Sequence, residues 1–148
     1  MKIFIKKTYH GLRNKKKRGQ FLVLSSFLIT FLIARLTVYF QTQGIIPTQN
    51  GYPHIHHLVF GIFITLISSD IGISYWYHEH LRLWMTTFFG IGTALTMEEF
   101  ALWFFLKDAY WSREGRYSID AVIVTAVIFL IVYLVSEAHD HYWVKRKK

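Results

Sequence analysis

The run PHIHHLVFGIFITLISSDIGISYWY, residues 53–77, decides the fold. After three histidines comes an apolar stretch, Leu58 to Tyr77, about the 20 residues a helix needs to cross ~30 Å of hydrocarbon. Pro53 suits a first helical position, where its missing N–H costs nothing. At about 100° per residue His54 and His57 share a face, and Gly61, Thr65, Ser68 and Gly72 continue it. The other faces are mostly Phe, Ile and Leu. A stripe of small and polar side chains on such a helix belongs against protein, and the histidines at its head mark a site.

The same pattern recurs in Gln20–Phe40, Leu83–Leu106 and Ile119–Ala138, in a chain that is 53% hydrophobic and 18% aromatic. These blocks predict an all-α fold, a polytopic transmembrane bundle of four helices with N and C termini cytoplasmic. Residues 1–19 form a basic tail, 20–138 the transmembrane domain and 139–148 a second basic tail. The absence of Cys excludes disulfides and thiolate metal sites. A net charge of +8 invites a nucleic-acid reading, but position argues against one. Eight of the seventeen Lys and Arg precede Gln20 and four end the chain, which is a topology signal and an attraction to anionic membrane lipids. The first block is too long for a signal-peptide core, and no small-residue cleavage site ends it. The loop at 41–52 lacks Lys and Arg, as an outer loop should. In the second outer loop Lys107, Arg113 and Arg116 are partly offset by Asp108 and Glu114. His78–Arg82 reads as an inner turn, and Ser118 as the N-cap of span four. Gly90 and Ala94, four apart, predict close packing of span three on span two.

An ionisable side chain at the centre of a span costs roughly 2.5 kcal/mol or more, so each one is a site hypothesis. Arg35, Asp70, Glu98 and Glu99 lie inside spans. Glu98 and Glu99 stand about eight residues before the end of span three, roughly 12 Å down; being 100° apart, one should face the site and the other a neighbouring span. With His54, His56, His57, Asp108, Asp120 and Arg116, these groups, Asp70 apart, gather in the outer half of the bundle. Imidazoles and carboxylates without thiolates suit a divalent metal, Zn, Fe or Mn. The expected ligands are His54, His57 and Glu98. Glu99, Asp108 or Asp120 would serve as general base, and Arg35 and Arg116 would hold an anionic headgroup. His56 points away from the His54/His57 face and suits the headgroup level. An inner cluster, His78, His80, His139 and His141, is ordinary for a membrane surface, while Asp70 needs a partner of its own.

The stretches HIHHLVFGI (54–62), LTMEEFALWF (95–104) and DAYWSREGRYSIDAV (108–122) resemble a group of small bacterial integral membrane proteins. The resemblance implies a multi-pass protein of the cell inner membrane. It transfers no activity and no residue role. Three functions fit the residues. The first is a metal-assisted enzyme that hydrolyses or modifies a lipid-like substrate. The second is a non-catalytic membrane protein whose Arg/Glu/His cluster locks the bundle or binds a partner. The third is a small proton or solute transporter, which would be a homo-oligomer because four spans enclose little aqueous volume.

Overall fold

The computed structural model describes residues 15–45, 57–105 and 116–146, with 15, 16 and 137–146 described as backbone alone. Among the described residues five helices follow in order: α1 (Lys15–Thr42), α2 (His57–Ser74), α3 (Glu79–Glu98), α4 (Phe100–Phe105) and α5 (Arg116–Arg146). The described residues contain no strand. Three helices are long and apolar enough to cross a membrane: α1 from Lys17, α2, and α5 as far as Ser136. Their outward faces are lipid-like, with Leu32, Phe63, Leu66 and Val135 all more than half exposed. α1 stops in a Schellman motif. Gly44 takes φ 70°, the Ile45 N–H donates to the Phe40 carbonyl and the Gly44 N–H to that of Gln41.

α3 is the helix the others surround. It carries Glu79, Arg82 and Glu98, and packs against α1, α2 and α5. Gly90, Gly92, Thr93, Ala94, Thr96 and Glu98 are buried along it. Its buried Thr93, Thr96 and Glu98 are covered by neighbours whose outer faces are apolar.

Contacts fix the directions. Gly19 of α1 lies beside Arg82 and Thr86 of α3, Gly90 beside Val23 and Ser26, and Glu98 beside Arg35, so α1 and α3 run parallel. Gly61 of α2 meets Thr96, and Thr65 meets Gly92, so α2 and α3 run antiparallel. α5 runs back along α1, with Phe129 edge-on to Phe27 at 5.4 Å and Ser136 hydrogen-bonded to Gln20. Phe27, Ala94 and Val122 form the core, flanked by Phe31, Met97, Ala126 and Phe129.

The α2–α3 seam is a reciprocal pair of Gly-xxx-Thr units. A Cβ on Gly61 would stand 2.7 Å from the Thr96 backbone N, and one on Gly92 2.7 Å from that of Thr65. Only glycine lets the backbones approach this closely. The stripe on α2 therefore meets α3, as its periodicity implies. The Gly90/Ala94 pair does not join this seam. Gly90 is pressed against Val23 and Ser26 of α1, and Ala94 lies in the core with Phe27 and Val122.

Three boundaries differ from the sequence reading. The turn expected at His78–Arg82 is Tyr75–His78, and Glu79, His80 and Arg82 already belong to α3. α5 starts at Arg116, so Ser118 is inside the helix. It is no N-cap: its buried hydroxyl accepts from the Ala101 N–H at 2.9 Å. The block Leu83–Leu106 is two helices, broken at Glu99.

Candidate metal centre

The break at Glu99 builds the site. Glu99 takes φ −99°, ψ 23°, and its N–H turns back to the Met97 carbonyl, ending α3. α4 restarts one residue later, and the Leu102 N–H donates to the Glu99 carbonyl at 3.0 Å. In an unbroken helix adjacent residues point 100° apart. Here both carboxylates turn inward, and Glu98 and Glu99 are 0% and 1% exposed. The expectation that only one of them faces the site is thus corrected.

Three neighbours meet the two acids. Arg35 of α1 sets its Nε 3.3 Å from Glu98 Oε1, with its guanidinium 5.7 Å over the Phe31 ring. His57, the first residue of α2, sets Nδ1 3.6 Å from Glu99 Oε1. The Leu58 N–H donates to Glu99 Oε2 at 2.8 Å. That last bond satisfies one of the free N–H groups at a helix start with a charge the helix dipole favours there. Neither oxygen of Glu98 accepts a well-formed hydrogen bond among the described residues. A buried carboxylate in that condition is held by charge alone.

One ligand atom from each of His57, Glu98 and Glu99 lies within 4.8 Å of the others. Donors around one Zn²⁺ at ~2.0–2.2 Å sit roughly 3.3–3.6 Å apart, so the three could converge on one ion only after side-chain shifts of about an ångström. Two acids against the one guanidinium of Arg35 make this a donor set that a divalent cation would complement.

The sequence-expected residues divide in three. Arg35, His57, Glu98 and Glu99 come together. Asp120 and Arg116 are exposed on the first turns of α5, and Asp120 is not in the close group. His54, His56 and Asp108 lie outside the described residues. Asp70 is exposed on α2, toward the other end of the bundle. Sequence reasoning missed the backbone of Leu58 and the hydroxyl of Ser118, the latter joining α4 to α5 next to the acids. Comparison of the chain with protein-family models, with curated proteins and with solved structures finds no match.

Proposed function

We propose that this chain is a four-span protein of a bacterial inner membrane, both termini cytoplasmic, that holds one divalent cation at His57, Glu98 and Glu99 near the outer face. Four spans are supported by the alternating directions of α1, α2, α3 and α5 and by the shelter the other three give α3. The orientation rests on the Lys and Arg of the two tails. The observation that carries the cation is the convergence of two fully buried carboxylates and an imidazole within 4.8 Å. Zn, Fe and Mn suit this donor set. With one position open, the ion would polarise a bound water or a phosphoryl oxygen. Hydrolysis or modification of a lipid-like substrate is the reaction class this geometry serves best.

Metal analysis of the purified, detergent-solubilised protein tests the reading. One equivalent of Zn, Fe or Mn is expected in the wild type, lost in Glu98→Gln and in His57→Ala. A metal-free wild type that takes up none of the three on titration overturns it.

One observation favours a second reading. The 3.3 Å approach of Arg35 to Glu98 already supplies a counter-charge, so the cluster can act as a structural lock. Under that reading Glu98→Gln and Arg35→Gln both loosen the bundle, and added metal has no effect on either.

A further inference from the structure

The principal contact of α2 is α3, made through Gly61, Thr65 and Gly72. The opposite side of α2 carries Val59, Phe63, Leu66, Asp70 and Ile73, all exposed. These five follow one another at spacings of four, three, four and three residues. That is the heptad rhythm, which keeps side chains on one line where two helices pair. Four of the five are apolar, and hydrocarbon would satisfy them. Asp70 is different. It sits inside a helix long and apolar enough to cross a membrane. One turn beyond it come Tyr75, Trp76 and Tyr77, an exposed aromatic group suited to the headgroup level. Its Cα–Cβ bond leans toward the start of α2, away from those rings, and its side chain is short. No hydrogen bond or ion pair holds it among the described residues. The Arg82 guanidinium does not face it: Arg82 lies across the seam, beside Gly19 and with Ser68 and Gly72. A carboxyl group in that position is costly in lipid and calls for a polar partner.

We propose that a second copy of this chain covers the stripe, α2 against α2, with the two Asp70 side chains meeting on a two-fold axis along the membrane normal. Copies in one membrane share one orientation, set by the same basic residues. The paired helices therefore run parallel, and each residue of the stripe meets its counterpart at its own depth. Asp70 thereby finds a hydrogen-bonding group within hydrocarbon without another sequence having to supply it. The carboxyl O–H of one copy donates to a carboxyl oxygen of the other. Val59, Phe63, Leu66 and Ile73 pack above and below in the left-handed crossing of about 20° common among membrane helices. The single polar position fixes the register. The proposal requires α2 to lie in hydrocarbon and makes no use of the cation centre.

Disulfide trapping in native membranes tests it. The chain has no Cys, so one introduced thiol is the only one present. On oxidation Leu66→Cys and Ile73→Cys should form a covalent dimer. Val135→Cys, on α5 and as exposed as Leu66, should form several-fold less. Added to Ile73→Cys, Asp70→Ala should lower the dimer about threefold. Asp70→Asn, whose carboxamide both donates and accepts across the axis, should keep it. Asp70 is exposed, so neither change disturbs the α2–α3 seam. Equal yields from Ile73→Cys and Val135→Cys would mark random collision and overturn the proposal. So would a yield unchanged by Asp70→Ala, which would leave the carboxyl to a lipid amine or to water at the headgroup level. A linked product containing a different protein would assign the stripe to another partner and likewise overturn it.

Discussion

Glu99 Oε2 accepts the Leu58 N–H at 2.8 Å, joining residues 41 positions apart. One hydrogen bond thus ties the break after α3 to the start of α2. Hydrogen bonds to a charged partner contribute about 1.5–3 kcal/mol. Glu99→Ala should lose that much, read by denaturant unfolding in detergent micelles. Glu99→Gln keeps an acceptor oxygen and should lose less than half as much, while its cation affinity falls with the ligand charge. Equal losses in the two variants would show that the bond to Leu58 is not what the carboxylate contributes.

Arg35 and Glu98 make a second test. Removing one member of a buried ion pair strands the other and costs about 3–5 kcal/mol, whereas replacing both by apolar residues of similar size is often neutral. Arg35→Met and Glu98→Met should each destabilise strongly, and the double variant should recover most of the loss. A double-mutant cycle measures this, and strict additivity of the two singles contradicts the pairing.

Two glycines on different contacts should respond in opposite senses. A Cβ on Gly92 would come within 2.6 Å of Thr65 Oγ1, and the backbone N lies just behind it. Gly92→Ala should cost about 1–3 kcal/mol as the seam is forced apart. At Gly19 the nearest atoms would be 3.5 and 3.6 Å away. Gly19→Ala should be neutral or stabilise by about 0.4–1 kcal/mol through the unfolded chain. Thermal unfolding in one detergent ranks the pair.

Ser118 gives the α4–α5 joint. Ser118→Ala leaves the buried Ala101 N–H without its acceptor, a loss of about 1–3 kcal/mol. Hydrogen exchange should then rise at Ala101 and Leu102 before it rises in α3. Unchanged exchange there would mean α4 is held by its neighbours and not by this bond.

Much of this was readable from residues alone, and the reasons are physical. Arg35, Glu98 and Glu99 stand out because a charge inside an apolar block is expensive wherever it occurs. Gly61, Thr65, Ser68 and Gly72 stand out because they recur at the helical period. What pattern does not encode is which neighbour a small residue meets. Gly90 and Ala94 announce a close approach without naming α1 as the helix that makes it. The break at Glu99 is also silent, because Met-Glu-Glu-Phe-Ala-Leu has no Gly or Pro to end a helix. It coincides with the capture of Glu99 by the Leu58 N–H, a contact between distant parts of the chain. Asp120 and Arg116 look like site residues because topology brings the start of span four to the same end of the bundle as the acids, yet the first turns of α5 leave both exposed.

The interlocked Gly61–Thr96 and Thr65–Gly92 contacts have a mechanical consequence. Sliding α2 along α3 by a single residue would drive side chains into backbone on both sides, so the two helices are geared together as one lever. With α4 fastened to α5 through Ser118, a tilt of that pair against the lever would bend the chain at Glu99, beside the carboxylates.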